Sequence, residues 1–291
     1  MMESLSYWGR WGPEDELGAL NLITPETRIR AAAEVRDGIS VSLAATLDPA
    51  LRDPFGKFSH SMHPSTFSPG SYIATDEYRF RYHGFTQTHL DALSHFSYQG
   101  RLYNGVPRNL VTPTGARKLS ILAMKDGVFT RAVLMDMPRL EGKDFLDRSR
   151  VIYPEDFEAW EMQTGVRVEK GDALLIRTGA WTRRRLQGEW DYMRDSSGLD
   201  ASCLPWIRER EVALVGSDFG LDAMPSTVKN FNLPVNVVLI VGMGMPVIDN
   251  LDLSELSEVA SSKNRWSFLL TLAPLPVDGG TGSPVNPIAT F

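Results

Sequence analysis

Residues 173–178 read ALLIRT, a short apolar run that follows a Lys-Gly-Asp turn at residues 170–172. Similar runs lie on both sides of it in the chain, RAVLMDM at residues 131–137 and VALVGS at residues 212–217. A strand that is buried on both faces of a sheet is apolar nearly throughout and does not alternate with polar residues. The three runs therefore predict strands in a sheet that is covered on both faces.

Helical patterns separate these predicted strands. Residues 153–164 form one pattern, with a proline near its start, and residues 181–192 form another. Strands that alternate with helices indicate an α/β fold. Residues 39–43 and 266–272 are further strand candidates, and no repeat or linker divides the chain. The predicted fold class is α/β, a single domain over residues 1–291 with a central mixed sheet flanked by helices and with an N-terminal extension.

The N-terminal extension is predicted to cover residues 1–38 and to contain a packing helix. Thr24 is the expected N-cap, Pro25 the first helical residue and Gly38 the stop. Residues 48–70 follow, rich in Pro, Ser, Phe and His and without periodicity. Such a long irregular segment is predicted to be an active-site loop or an oligomer contact.

Three other segments receive simpler interpretations. Residues 235–243 are apolar all round, and periodicity does not decide between helix and strand. Residues 278–287 (DGGTGSPVNP) are dense in Gly and Pro and are predicted to form a loop. The triple arginine at residues 183–185 is predicted to be a solvated helix face.

Composition excludes several classes of function. The chain has 30 basic and 36 acidic residues, a formal charge of −6, which argues against a nucleic-acid partner. A single cysteine, Cys203, excludes an internal disulfide. The N-terminus has no secretory pattern, and no apolar run is long enough to span a bilayer. We expect a cytoplasmic protein that acts on a small molecule and binds no membrane.

The candidate functional residues concentrate in residues 81–96, RYHGFTQTHLDALSHF. This stretch holds His83, His89, Asp91 and His95, three of the five histidines of the chain. Histidine serves both metal ligation and proton transfer near neutral pH. His89 and Asp91 share a face only if the backbone between them is extended. Imidazole and carboxylate together suit zinc, manganese or iron.

The two outer histidines reach the pair only if the chain turns on either side. In extended chain at about 3.3 Å per residue, His83 would lie roughly 20 Å from His89 and His95 roughly 13 Å from Asp91. Gly84 is a plausible turn upstream, and residues 92–94 could start a helix downstream. A metal-free alternative also stays open, in which His89 and Asp91 form a buried hydrogen-bonded pair.

Two more histidines, His60 and His63, lie in the irregular segment of residues 48–70. Their spacing allows metal binding. Loop histidines beside Ser and Pro are more often exposed or line a pocket, so we do not assign them as ligands.

Residues 88–95 (THLDALSH) resemble the H-x-G-T-H-x-D-x-P-x-H signature of the cyclase-like metal-dependent hydrolases, the family of bacterial kynurenine formamidase and isatin hydrolase. The opening of the chain is similar to that of a longer cyclase branch of the family. Segments along nearly the whole chain resemble family segments in the same order: residues 11–21, 170–179, 215–218, 244–251 and 282–287.

The resemblance implies roles for individual residues. His89 and Asp91 match metal ligands, and His95 matches a proton-transfer residue. Asp249 matches a ligating glutamate and is shorter by one methylene. The implied cofactor is one divalent metal ion, Zn or Mn.

The chain departs from the signature at informative positions. The first signature histidine falls on Phe85, which cannot ligate, so His83 is the candidate replacement. Gln87 stands for a glycine, and Asn236 falls where a further histidine is expected. These departures favour a single ion over a two-metal centre. Phe85, Gln87, Phe96 and Asn236 are predicted to contact the substrate. The aromatic residues near the signature could form an apolar wall for a flat substrate, and core packing is the alternative for them; they are Phe85, Phe96, Tyr98 and Phe67.

The activity that the resemblance implies is hydrolysis of a cyclic or aryl amide, or of a lactone, by metal-activated water with His95 as general acid and base. Two alternatives stay open: a metal-dependent cyclase or lyase-type reaction, and a metal-poor relative that acts as a binding protein. By analogy with the family, we also expect a homodimer or homotetramer.

Overall fold

The computed structural model describes residues 1–291 and contains fifteen strands. In chain order they are β1 (Ser40–Ser42), β2 (Ser59–Ser68), β3 (Ser71–Arg79), β4 (His89–Asp91), β5 (Val111–Thr112), β6 (Gly115–Ala116), β7 (Val128–Asp136), β8 (Val151–Ile152), β9 (Ala173–Arg177), β10 (Gly198–Leu199), β11 (Leu214–Ser217), β12 (Val247–Asp249), β13 (Ser267–Leu272), β14 (Gly282–Pro284) and β15 (Ile288–Thr290).

Eight α-helices accompany these strands. They are α1 (Met2–Leu5), α2 (Pro25–Ala32), α3 (Met137–Leu140), α4 (Pro154–Thr164), α5 (Ala180–Gln187), α6 (Cys203–Glu209), α7 (Pro234–Val237) and α8 (Ser254–Lys263). A π-helical turn, Val238–Gly242, continues α7, so the apolar segment that periodicity could not assign is helical. No helix combines the length and the apolar character that crossing a membrane would require.

Nine strands form one mixed sheet in the order β1-β15-β13-β7-β9-β11-β12-β4-β14. The central strands β7, β9, β11 and β12 are parallel, and the flanking pairs are antiparallel. The three apolar runs of the sequence supply β7, β9 and β11. Every residue of β9 is buried, because the sheet is covered on both faces. The predicted α/β fold with a central mixed sheet is confirmed.

One apolar core extends across the sheet, from Leu5 to Phe291. Helix α4 shows how a flanking helix attaches. It buries Phe157 and Trp160, and the Trp160 indole N–H donates to the Leu134 carbonyl of β7 at 2.8 Å. Residues of the N-terminal extension, such as Tyr7, belong to the same core. The extension therefore packs on the main body, and its division from the rest at residue 38 stays a prediction.

The N-terminal helix is shorter than predicted. Thr24 caps it as expected and Pro25 begins it, but α2 ends at Ala32, well before Gly38. Ile29 is 74% exposed, and Ala31 is the buried residue. The sequence pattern was too short to fix which side of the helix faces the core.

Two segments that were predicted as loops contain strands. Residues 59–79 form an antiparallel hairpin, β2 and β3, almost every residue of which is exposed. Alternation of apolar and polar residues comes from burial on one face, and this hairpin lacks such a face. The C-terminal segment at residues 278–287 contains β14, which pairs with β4.

Arg183 and Arg184 of the triple arginine are largely buried, contrary to the predicted solvated helix face. Arg183 is only 6% exposed, with its guanidinium over the rings of Phe145 and Trp190 at 5.0 and 5.7 Å. Arg184 is also largely buried and pairs with Glu189. Flat guanidinium groups stack on aromatic rings, which allows a buried face where charge alone indicates a solvated one.

Candidate metal centre

The candidate centre is built on β4, which lies between β12 and β14 in the sheet. Asp249 of β12 pairs with His89, and Gly282 of β14 pairs with Asp91. Residues 89–91 are extended, as a shared face for His89 and Asp91 requires. The sheet register therefore brings Asp249, distant in sequence, next to the local pair.

Asp91 is the common neighbour of the three histidines. Its Oδ1 lies 2.9 Å from His83 Nδ1 and 3.5 Å from His89 Nε2, and its Oδ2 lies 3.7 Å from His95 Nε2. The rings of His83 and His95 stack with centroids 4.0 Å apart and planes 4° apart. The chain thus turns on both sides of β4 and brings both outer histidines back over the carboxylate.

Several atoms at this centre are buried and have no hydrogen-bond partner: His83 Nδ1, Asp91 Oδ1 and Asp249 Oδ1. The short His83–Asp91 contact does not supply one, because the two groups are not aligned for a hydrogen bond. Leaving such groups unpaired costs free energy. A divalent cation beside Asp91 would give its Oδ1 a partner, and the donor set of imidazoles and carboxylates around it fits zinc or manganese.

The potential ligands form two overlapping groups that share Asp91. His89, Asp91 and Asp249 form one, and His83, Asp91 and His95 form the other, with the donor atoms of each group within 4.8 Å of one another. The predicted metal residues and the predicted proton-transfer residue therefore all lie around Asp91. The structure places His83 in the group of His95 and not in the group of His89 and Asp249. By contrast, His60 pairs with Asp76 on the exposed hairpin at 3.2 Å and is in neither group.

In two of the imidazoles, the ring nitrogen that does not face Asp91 has a polar partner that orients the ring. The His89 Nδ1–H donates to the Gln87 carbonyl oxygen at 2.8 Å, so Nε2 carries the free lone pair. His83 Nε2 lies 3.2 Å from Thr281 Oγ1, which leaves Nδ1 toward Asp91. Partners of this kind set the tautomer and the direction of ligating histidines.

Burial dominates the electrostatics of the centre. It lowers the pKa of His95 to about 4 against the opposing effect of Asp91, and it also lowers the pKa of His89. Burial raises the pKa of Asp249 well above its usual range, and repulsion from Asp91 and Asp222 adds to this. For Asp91, the neighbouring histidines outweigh burial and lower the pKa. A cation between the carboxylates would relieve the repulsion of Asp249 by Asp91.

The centre opens into a cavity of about 390 Å³. Phe85 forms an aromatic wall with Phe219, stacked at 5.3 Å, and with Tyr192 and Phe55 at 5.4 and 5.6 Å. The lining residues include Phe85, Phe96 and Asn236 among the predicted substrate contacts, together with His83, His89, Asp91, His95 and Asp249.

Three predicted aromatic or polar contacts lie elsewhere. Gln87 is buried but is not a lining residue, so its contact with substrate stays a prediction. Tyr98 packs on Phe231 outside this cavity. Phe67 lies on the hairpin and is 77% exposed.

Some site residues carried no signal in the sequence. Asp53 Oδ2 accepts hydrogen bonds from the Phe85 N–H at 2.7 Å and from the Thr86 hydroxyl at 2.9 Å. A side chain at Gly84 would collide with this carboxylate, since its Cβ would lie 2.3 Å from Asp53 Oδ2. Asp53 thereby holds the turn between His83 and β4. No local pattern connects residue 53 with residues 83–86.

Asp222 is the second such residue. It accepts hydrogen bonds from the backbone N–H groups of Val235 and Asn236, at 2.7 and 3.0 Å, and from Asn236 Nδ2 at 2.8 Å. Burial raises its pKa to about 6. It fixes the start of α7 against the cavity.

The family model described as "Putative cyclase" matches residues 39–223. A crystal structure described as a novel cyclase is 30% identical, superposes with a TM-score of 0.88, and covers 98% of this chain and 99% of its own. The chain belongs to the cyclase family. None of the curated proteins matches this cyclase-family sequence.

More distant structures share the fold of this cyclase-family protein. Isatin hydrolase A from Labrenzia aggregata, bound to benzyl benzoate, is 22% identical with a TM-score of 0.63 and covers 89% of this chain and 94% of its own. An isatin hydrolase bound to the product analogue thioisatinate is 18% identical with a TM-score of 0.61, covering 91% and 98%. These distant structures therefore show a shared fold, and the His/Asp groups of this cyclase-family chain could hold a divalent metal ion.

Proposed function

We propose that this cyclase-family protein hydrolyses a cyclic or aryl amide, or a lactone. The observation that carries the proposal is the cluster of unpaired His and Asp atoms beside a cavity with an aromatic wall. Three histidines around one buried carboxylate supply both metal ligands and a proton-transfer group. A hydrolytic reaction at a carbonyl uses both.

The proposed ligands are His89, Asp91 and Asp249, together with His83. His83 would replace the first signature histidine, whose position is occupied by Phe85 in this chain. One ion, Zn or Mn, would be held there. When bound, such an ion lowers the pKa of water to about 7 and polarises a carbonyl. His83 Nδ1 suits the role because it is unpaired and already 2.9 Å from Asp91.

His95 is the proposed general acid and base. Burial keeps its imidazole neutral near pH 7, so it can accept the proton of the attacking water. A bond then forms between the water oxygen and the carbonyl carbon. His95 returns the proton to the leaving nitrogen or oxygen as the bond to that atom breaks. Asp91 Oδ2, at 3.7 Å, stabilises the imidazolium between these steps.

The proposed substrate is flat. Phe85 and Phe219 present parallel rings to the cavity, and Phe96 packs edge-on against His95 at 4.9 Å. Two distant relatives support an aryl substrate, since one is described as an isatin hydrolase bound to thioisatinate and the other as bound to benzyl benzoate.

Product mass tests the reaction class. The purified protein, loaded with Zn or Mn, is incubated with isatin, formanilide and dihydrocoumarin, and products are identified by mass spectrometry. Hydrolysis of the cyclic substrates isatin and dihydrocoumarin adds one water to the substrate mass, whereas hydrolysis of formanilide gives aniline and formate, whose masses together equal substrate plus water. A product without added water would instead indicate a cyclase or lyase-type reaction. Less than about a tenth of an equivalent of metal after growth with zinc and manganese would indicate a binding protein.

We further propose that the protein forms a homodimer or homotetramer through the β2–β3 hairpin. Support comes from the apolar side chains that this hairpin exposes, notably Phe67 and Tyr72, which are 77% and 69% exposed. Large exposed apolar side chains on a projecting element are typical of protein contacts.

A further inference from the structure

Asn236 presents an unused hydrogen-bond acceptor at the cavity. Its side chain lines the cavity and is only 6% exposed, and its Oδ1 is buried without a partner. It stands on α7, whose start is fixed by Asp222.

The contacts of Asn236 fix the orientation of its amide. Both oxygens of Asp222 accept backbone N–H groups, and Oδ2 also accepts from the side chain of Asn236 at 2.8 Å. Only the NH₂ group can donate to that carboxylate, so the carbonyl oxygen is the atom left over. The usual ambiguity between amide nitrogen and oxygen is therefore resolved by chemistry.

The unpaired oxygen requires a donor. An amide carbonyl accepts hydrogen bonds and donates none, and a buried acceptor without a partner costs free energy. Of the two proposed substrate classes, a secondary amide or a lactam carries an N–H next to the scissile carbonyl. A lactone presents only acceptors there and would leave Asn236 Oδ1 unpaired.

We propose that Asn236 Oδ1 accepts the N–H of the substrate and selects secondary amides and lactams over lactones and N-alkylated amides. This inference rests on the proposed hydrolase function and narrows its substrate class. Sites that hydrogen-bond a substrate N–H reject analogues without it because their own polar groups then stay unpaired. Asn236 acts here as a specificity residue and holds no metal.

The test compares isatin with N-methylisatin and formanilide with N-methylformanilide. For each pair, the ratio of kcat/KM values is divided by the ratio of the hydroxide-catalysed rates, which removes the intrinsic difference in reactivity. The wild type is expected to prefer the N–H member by at least about tenfold. Asn236→Ala is expected to bring this preference close to one while keeping its bound metal, measured by elemental analysis.

A matched variant separates the hydrogen bond from cavity volume. Leu233 lines the same cavity with an apolar side chain, so Leu233→Ala enlarges it and removes no polar atom. That variant is expected to keep the preference of the wild type even if its rates fall. A general loss of folded protein would also lower both rates of a pair equally and leave their ratio unchanged.

The outcomes distinguish the two proposals. A wild type that hydrolyses amides but shows no preference for the N–H member overturns the role of Asn236 alone, and this arm needs no variant. Loss of metal in Asn236→Ala would make residue 236 a ligand and overturn it as well. A wild type that hydrolyses none of the four amides overturns amide hydrolysis itself, and the inference with it.

Discussion

Gly282→Ala is expected to weaken metal binding through His83. The Cβ of an alanine at this position would lie 2.6 Å from the Leu90 carbonyl oxygen and 2.7 Å from His83 Cε1. Ordinary contacts begin at 3.4 Å, so the added carbon is about 0.7 to 0.8 Å too close to both neighbours. Leu90 O belongs to the backbone of β4, which pairs with β14, and cannot yield easily. The imidazole of His83 must therefore move.

The cost follows from this overlap. Overpacking by one carbon costs typically 1–3 kcal/mol, which corresponds to roughly 2–5 °C in Tm for a chain of this length. Displacing an orienting contact of a ligating histidine lowers metal affinity by about 10- to 100-fold. His83 would also lose its contact with Thr281 Oγ1 at 3.2 Å.

The assay combines calorimetric unfolding with titration of Zn or Mn into the apo protein. Gly220→Ala is the control, because it lies at the same cavity and its added Cβ would meet nothing within 4 Å. It should show wild-type Tm and metal affinity. If Gly282→Ala unfolds at a lower temperature but binds metal with unchanged affinity, His83 is not a ligand. Unchanged values for both would refute the close approach of β14.

Three further predictions address the roles of Asp91 and His95, the buried carboxylate of Asp218 and the subunit contact. Asp91→Ala should lose bound metal and activity together, whereas His95→Ala should keep its metal and lose turnover by roughly 10²- to 10⁴-fold. Elemental analysis measures the metal content and steady-state kinetics the turnover. Full metal content in the Asp91 variant would contradict the ligand assignment. Asp218→Ala should lose about 3–5 kcal/mol in denaturant unfolding, because its buried carboxylate accepts four hydrogen bonds from residues 178–180; a loss below about 1 kcal/mol would show that these donors find other partners. The double change Phe67→Ser and Tyr72→Ser should reduce the molar mass measured by light scattering, and an unchanged mass would exclude the hairpin from the subunit contact.

The fold could be predicted where burial of a strand requires apolar residues in its sequence. β7, β9 and β11 are mostly apolar because both faces of the sheet are covered, and that property can be read from each segment alone. The hairpin β2–β3 could not be predicted in the same way, because it buries neither face. The strand β14 was not predicted because it lies in a segment, residues 278–287, whose glycines and prolines usually indicate a loop.

The site was predictable only in its local part. His83, His89, Asp91 and His95 lie within thirteen residues, so their types and spacing could be read together. Asp249 followed from the resemblance to the family. Asp53 and Asp222 reach the site through the order of strands and the closing of loops, and these depend on the whole fold.

Gly282 is a further site residue whose role could not be predicted from the sequence. In the sequence it belongs to a segment whose glycines indicate turns. In the structure its lack of a side chain makes room for His83 beside β4. A glycine that is required by close approach cannot be told from a turn glycine without knowing what approaches it.

Phe85 and His83 together account for the missing first histidine of the family signature. Phe85 joins the aromatic wall and stacks on Phe219, so its ring serves the cavity and not an ion. His83, two residues earlier, reaches the same Asp91 oxygen that His89 approaches, because the turn at Gly84 is held by Asp53. The signature can therefore lose its first histidine without losing a nitrogen beside Asp91. What changes is the wall of the cavity, which gains an aromatic ring where the signature places an imidazole, and the proposal of a flat substrate rests on this change.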